Sequence, residues 1–420
     1  MLQRLSIILL ASAVLVTCVG TAADAQQFNS AAGRTGQLPY GGRPLLQVAP
    51  DGAVHLDGPL ASQSMPRVAA QPVIITQGES GTLFQQPTGY QQPALLQSTT
   101  GSRFGNWLFN NPIPYQYEHR TGLFGEFLFI RPRNAEVAYA LPIDAPVAPI
   151  LGNEVPVGPA AVVDFGYEPA FRVGFNLRLR EDSSIGAQYT NFRGTASDGV
   201  TVIAPIVLRS LVSHPLSTNA ATDTLVANAS LGIEYDLLDI DYRATVDGCE
   251  SCEGKFADVV NYIIGARYAR LDQDFRSNFV VTGTTSVNTN VDFDGGGIRL
   301  GLEGERHSTK TGLYVYGQGI TNLMVGEFKA DYLQTNNFNG TEAITSWSGG
   351  RVVPGIDLEL GLGWVGPRRR LRFSGGYLVS TWFNVVKTEE FINAAQTHDF
   401  DNLSSVLTFD GLVARAEWEF

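Results

Sequence analysis

From Thr121 to Phe420 the chain alternates apolar and polar residues with a period of two, in runs separated by turn residues. That period puts successive side chains on opposite faces of a strand, so each run reads as a strand with one apolar and one polar face. The first runs from Leu123 to Phe129 and ends at Arg131-Pro132-Arg133. In the second, Phe171, Val173, Phe175, Leu177 and Leu179 oppose Arg172, Gly174, Asn176, Arg178 and Arg180. After Glu181-Asp182-Ser183 the chain returns as Ile185, Ala187 and Tyr189 against Gly186, Gln188 and Thr190. The pattern recurs with Leu231, Ile233, Tyr235 and Leu237 against Gly232, Glu234 and Asp236, then with Val260, Tyr262, Ile264, Ala266 and Tyr268 against Asn261, Gly265 and Arg267. Further strands are expected around Ile298–Glu303, Leu313–Val325, Ile356–Trp364 and Leu371–Tyr377. In the last, Leu412, Ala414, Ala416, Trp418 and Phe420 oppose Val413, Arg415, Glu417 and Glu419.

The connections alternate in length. Short links are expected at 181–184, about 243–255, 304–311 and 365–369, and long ones at 132–168, 194–228, 272–292, 326–350 and 384–403. Strict alternation of short turns and long loops marks an up-and-down transmembrane barrel. The fold expected is therefore all-β: a transmembrane antiparallel barrel of about ten strands, with twelve as the upper count, behind a disordered N-terminal segment. Backbone groups in lipid must all be paired, so the sheet has to close. An Arg on the lipid face at mid-membrane costs ~2–4 kcal/mol, so the apolar faces turn outward and the charged ones inward. The inward set is Glu126, Arg172, Asn176, Arg178, Gln188, Glu234, Asp236, Asn261, Arg267, Arg299, Glu303, Asp357, Glu359, Arg370, Arg372, Arg415 and Glu417. Trp364, Trp382 and Trp418, with Tyr189 and Tyr377, fall near strand ends, where aromatic girdles sit. Trp418 and Phe420 fit the terminal signal that barrel-assembly machinery reads, which makes that machinery an expected partner.

Composition agrees with this picture. Charged residues make up 17% of the 420, Gly reaches 45, and Phe (23) and Tyr (15) are abundant. The formal net charge of -12 excludes a nucleic-acid partner, which needs a basic face. Residues 1–25 read as a cleaved secretory signal: Arg4, an apolar core from Leu5 to Val19, and Ala23-Asp24-Ala25 before Gln26. Cys18 raises a lipoprotein alternative, which Thr17 disfavours where a small residue is wanted. Residues 26–120, rich in Gln, Pro and Gly, hold no sustained period and cannot offset the entropy of ordering. They read as a low-complexity periplasmic segment before a barrel spanning 121–420, with contact to peptidoglycan or plugging of the barrel left open.

Few residues suggest chemistry. Cys249-Glu250-Ser251-Cys252 lies in an expected periplasmic turn. No helix supports a redox role there, Glu253 stands where haem attachment needs His, and a small disulfide pinning the turn is the expectation. Asp272 and Asp274, with His398, Asp399 and Asp401 on the last long loop, would be the residues of a barrel hydrolase. Their spacing follows no hydrolase motif, and acidic residues crowd solvated loops anyway. No catalytic residue, metal or cofactor is expected. Acidic loops can also hold divalent cations that bridge lipopolysaccharide, so lipid and lipopolysaccharide are expected neighbours.

The stretches Tyr235-Asp236-Leu237-Leu238-Asp239, Gly265-Ala266-Arg267-Tyr268-Ala269, Asn322–Phe328, Val352–Leu362 and Trp382-Phe383-Asn384 resemble the Legionella-type major outer-membrane protein family, which has relatives in planctomycete-like bacteria. The resemblance covers roughly 121–420 and not the tail. It implies a pore-former in the cell outer membrane and carries over no catalytic residue. Passive passage of small hydrophilic solutes or ions through the charged lumen is thus the leading expectation. A sealed structural or adhesive barrel is the alternative, because small barrels are largely filled by side chains.

Overall fold

A computed structural model describes residues 119–144, 155–217, 224–248, 256–280, 283–308 and 311–420. The signal sequence, residues 26–118 of the 26–120 segment and the Cys249–Cys252 pair expected from sequence lie outside the described residues. The strands are β1 (Gly122–Arg133), β2 (Val137–Ile143), β3 (Ala161–Val163), β4 (Glu168–Arg180), β5 (Ser183–Thr201), β6 (Val207–Ser210), β7 (Val226–Gly248), β8 (Phe256–Val280), β9 (Thr284–Ser308), β10 (Leu313–Asn336), β11 (Gly340–Val365), β12 (Leu371–Val385) and β13 (Ser405–Glu419), with one helix, α1 (Thr388–Thr397), between the last two. β1-β13-β12-β11-β10-β9-β8-β7-β5-β4 close into an antiparallel barrel of ten strands, the ten expected from the periodicity. Closure is made by β1, which pairs with β13 (Glu126 opposite Arg415) on one side and β4 (Glu126 opposite Arg172) on the other.

The strands differ greatly in length. β4, β12 and β13 have 13, 15 and 15 residues, whereas β8 and β11 have 25 and 26. A tilted strand of ~9–11 residues crosses the hydrocarbon, so β7 to β11 continue well past it as a tall wall. Two of the expected long loops, 272–292 and 326–350, are in fact these strand extensions: β8 runs to Val280 and β9 starts at Thr284, and β10 and β11 are joined by a tight hairpin at 337–339. Sequence reading took them for loops because an apolar outer face was the criterion, and above the membrane the outer face is polar.

β7 shows the inversion. Leu231, Ile233, Tyr235 and Leu237 are buried inside the wall, while Leu238 and Ile240 are about half exposed on its outside. No register shift separates Leu237 from Leu238. Side-chain direction is constant; the surroundings change. Below the Leu237-Leu238 doublet the exterior is lipid and the interior polar, and above it the exterior is water and the interior a packed core. On three strand pairs an outward Tyr donates its hydroxyl to an outward Asp one step higher, Tyr189 to Asp236, Tyr268 to Asp294 and Tyr377 to Asp410. These pairs mark the upper border of the apolar band, where an aromatic ring with a polar tip is favoured.

The interior core above that border is built from the connections. β2 pairs with β3 and β6 as a three-stranded sheet, and α1 lies beside it. Val137, Tyr139, Val163, Leu208, Phe391 and Ile392 from these segments form one buried cluster with Phe275, Phe279, Val291, Phe293, Phe328 and Tyr332 of the wall. The helix is short and has no side-chain N-cap, although Glu389 and Glu390 in its first turn suit the helix dipole. Tertiary contacts hold it. Gln273 donates to Val386 O at 2.9 Å and accepts from Thr388, and Gln396 donates to Leu211 O and Ser213 O at 2.8 and 3.0 Å. The loops thus fill the mouth of the barrel as a plug.

Candidate functional site

The lumen below the plug is where the charges converge. Arg267 on β8 donates twice to Asp239 on β7, at 2.7 and 2.9 Å, and once to Asp357 on β11 at 2.9 Å. Arg299 on β9 approaches Asp239 at 2.6 Å and Asp241 at 3.0 Å and donates to Asn322 at 3.1 Å. Asp357 also accepts from Asn322 and Ser380 at 2.8 and 2.6 Å, and Gln188 donates to Asp239 at 2.9 Å. The residues come from β5 and β7 through β12, so the network spans the lumen. Arg267, Arg299, Asp239 and Asp241 are 4%, 2%, 1% and 2% exposed. Charges this buried stay ionised only when each is paired and hydrogen-bonded, as here.

A second tier is centred on β1, β4 and β13 and reaches across to β10 and β11, Arg172 lying 3.8 Å from Glu359. Arg172 meets Glu126 at 2.7 Å, Arg415 meets Glu126 at 3.3 Å and Glu417 at 3.1 Å, and Tyr316 donates to Glu359 at 2.8 Å. Between the tiers lies a cavity of about 30 Å³, lined by Glu126, Arg172, Gln188, Arg243, Arg267, Arg299, Gln318, Asp357, Leu378 and Arg415, a residue from every barrel strand. A water needs roughly 10–15 Å³ measured this way, so the free space at mid-barrel holds about two waters.

Toward the short-turn end the lumen opens into a cavity of about 80 Å³. Its walls include Glu305, which accepts from His307 and Arg372 at 2.6 Å each, and Glu303, near Arg243 at 3.9 Å. The chain entering β1 crosses beneath. His119 bonds Ser184 at 2.9 Å and Thr245 at 3.1 Å, and Arg120 donates to Arg369 O at 3.0 Å. Burial and the Arg243 guanidinium push the His119 imidazole down to about 4. At the other end, Phe192 and Tyr235 stack over the charge layer and Phe409 meets both edge-on, with centroids 4.7–5.7 Å apart. Trp382 packs beside them and is 1% exposed.

Most of the expected inward residues face the lumen: Glu126, Arg172, Asn176, Gln188, Asn261, Arg267, Arg299, Glu303, Asp357, Glu359, Arg372, Arg415 and Glu417. Four do not sit as expected. Glu234 is on the outside, paired with Arg193 at 3.4 Å, and Asp236 is outside with Tyr189 and Asn191. Both belong to the upper part of β7, where the polar face is the outer one. Arg370 lies exposed in the β11–β12 turn rather than on β12, and Arg178 stands at the rim beside Glu181 at 3.6 Å. Trp382 belongs to the inner aromatic layer, not to a girdle. Asp239, Asp241 and Arg243 were missed, although they alternate with Leu238, Ile240 and Tyr242 immediately after the Leu237-Leu238 doublet. That doublet was the available signal. Of the hydrolase candidates, Asp272 pairs with Arg270 at 3.0 Å and Asp274 with Arg276 at 2.9 Å on the outer face of β8, while the His398 ring lies 5.2 Å from that of His214.

A closed up-and-down barrel with an apolar outer band and a charged inner wall is a transmembrane β-barrel of the outer-membrane class. Residues 122–420 match the family described as Legionella pneumophila major outer membrane protein precursor, and the chain belongs to that family. The protein is thus an outer-membrane β-barrel, as the resemblance implied. Similar solved structures include the outer membrane protease OmpT from Escherichia coli, at 8% identity over 72% of this chain and 97% of that one, with a TM-score of 0.39. The toluene transporter TodX of P. putida is similar at 8% identity, 74% and 93% coverage and a TM-score of 0.20. A Pseudomonas aeruginosa FadL homologue is similar at 10% identity, 75% and 96% coverage and a TM-score of 0.17. A comparison with curated protein sequences found no match.

Proposed function

We propose that this protein is a plugged outer-membrane barrel that at rest passes no solute and serves as a rigid element of the envelope, carrying a tall strand wall on the cell exterior. One observation carries the reading: the ring of side chains contributed by every barrel strand leaves about 30 Å³ at mid-lumen. A hydrophobic plug lies above that ring. Filling of the interior by side chains is the regime of narrow barrels. The reading includes no catalytic role for Asp272, Asp274, His398, Asp399 or Asp401, no cofactor, and lipid and lipopolysaccharide as neighbours.

Passage of small hydrophilic solutes or ions is the second reading. The charged cavity of about 80 Å³ at the short-turn end favours it, since such walls suit a permeating ion. It requires both the mid-lumen ring and the plug to move. Swelling of liposomes holding the refolded full chain, in isotonic arabinose and in isotonic KCl, separates the two. The plugged barrel gives swelling no faster than protein-free liposomes, and rapid swelling in either medium overturns it. A variant lacking the plug segments and carrying Arg267→Ala, so that both the plug and the mid-lumen ring are opened, should swell in the same assay and gives the positive control.

A further inference from the structure

The tall wall has two vertical edges, and they are treated differently. Along β5, pairing with β4 stops at Ala170–Phe192, and β3 of the plug packs beside the strand above that point. Along β11, pairing with β12 stops at Gly355–Trp382, while pairing with β10 on the other flank continues to Gly340. Asn384 covers the foot of this edge, donating to Val352 O at 2.8 Å and accepting from Arg351 at 3.0 Å. From Thr341 to Gly350, no described strand pairs with β11 on that flank. The free edge is about 33 Å long at ~3.3 Å per residue.

Natural sheets guard such edges with Lys, Pro, bulges or covering segments, because a row of unpaired N–H and C=O groups templates another strand. Thr341–Gly350 reads TEAITSWSGG, with no Lys and no Pro; its one bulge, at Glu342, lies at the tip of the hairpin and leaves Ala343–Gly350 regular. Its one charge, Glu342, is occupied by Gln334 at 2.8 Å. Ile344 is 75% exposed on the outer face, and Trp347 borders the plug core on the inner face. We propose that the outer half of β11 is a strand-addition site, which takes an extended, uncharged polypeptide segment of about ten residues presented from outside the cell.

The occupant follows from chemistry and space. Alternating backbone donors and acceptors on an extended edge are matched in full only by another polypeptide backbone. A second copy of this chain does not fit, because its own β11 continues below Gly355 and would run into the place held by β12. The described chain enters at His119 and leaves at Phe420, both at the opposite end of the barrel. The segment must therefore end at the level of Trp382, with its apolar side chains on one face, beside Ile344 or beside Trp347.

The test uses the full chain refolded in micelles and an acetylated, amidated ten-residue peptide of alternating threonine and valine. Amide exchange is read residue by residue with and without peptide. Strand addition predicts that every second amide between residues 343 and 351 slows on adding peptide, while the remainder, already paired with β10, are unchanged. The peptide with proline at every second position should have no effect. Proline placed in the protein at a position whose amide gains protection removes no β10 bond and should weaken binding at least tenfold, with the barrel still folded by gel mobility. Failure of the threonine–valine peptide to bind up to millimolar concentration overturns the proposal. So does protection without alternation, protection of the edge before peptide is added, or equal binding by the proline variant.

Discussion

Replacing Arg267 with methionine tests whether the charge layer is a dry, load-sharing network or a wet pore lining. The side chain is 3% exposed and makes a bidentate pair with Asp239 and a third bond to Asp357. Methionine leaves both carboxylates in place. Asp239 keeps Arg299 at 2.6 Å and Gln188 at 2.9 Å, and Asp357 keeps Ser380 and Asn322. Breaking a buried ion pair by removing one partner costs ~3–5 kcal/mol, and the surviving bonds put this case at the lower end, about 3 kcal/mol. That is roughly two decades in the folding equilibrium. A pair of this kind in a water-filled pore is worth only ~0.2–1 kcal/mol. Urea unfolding of barrels in phospholipid vesicles, followed by tryptophan fluorescence, measures the difference. Adding Asp357→Asn to Arg267→Met should recover part of the loss, because Asp357 is the carboxylate that Arg267→Met leaves with only the neutral partners Asn322 and Ser380. A destabilisation of Arg267→Met below about 1 kcal/mol would refute the dry network.

Further outcomes follow from the same geometry. Leu360→Arg, at an outward position 68% exposed in the apolar band, should cost ~2–4 kcal/mol in the same unfolding assay, whereas Glu234→Ala, outside and above the band, should stay within about 0.5 kcal/mol. Phe391→Ala removes a fully buried plug side chain and should cost ~3–5 kcal/mol locally, read as faster amide exchange across residues 388–397 with little change in β13. His119, ordinarily near 6.5 and held at about 4 by burial and Arg243, binds its proton more readily in the unfolded chain. Its contribution to stability is therefore complete above about pH 6.5 and is lost as pH falls toward 4. His119→Gln should flatten the unfolding midpoint between pH 7 and 4.5, and an unchanged slope would remove His119 from the account.

The barrel was legible in the sequence because one physical condition, lipid outside and polar groups inside, acts on every strand in the band. The odd-numbered residues from Phe171 to Leu179 and the even-numbered ones from Leu412 to Trp418 are apolar and all face outward, and Arg172, Arg415 and Glu417 between them line the lumen, with Arg178 displaced only because it stands at the rim. Glu234 and Asp236 were misplaced because the condition reverses at Leu237-Leu238, where the outside becomes water. A fixed rule of polar inside then selects the wrong face. The plug was illegible for a different reason. β2, β3, β6 and α1 are 7, 3, 4 and 10 residues long, too short for a period to declare itself. They owe their structure to the apolar inner wall they pack on. Asp239 and Arg299 were separable in sequence but not their pairing, which depends on the β7–β8–β9 register bringing them across Arg267.

The claim that the resting barrel is closed is tested most directly by single-channel recording of the refolded full chain in a planar bilayer. At 1 M KCl and moderate voltage the account predicts a flat baseline from inserted wild-type protein, and discrete steps from a variant lacking the plug segments together with Arg267→Ala. Steady ohmic steps from the wild type would contradict it.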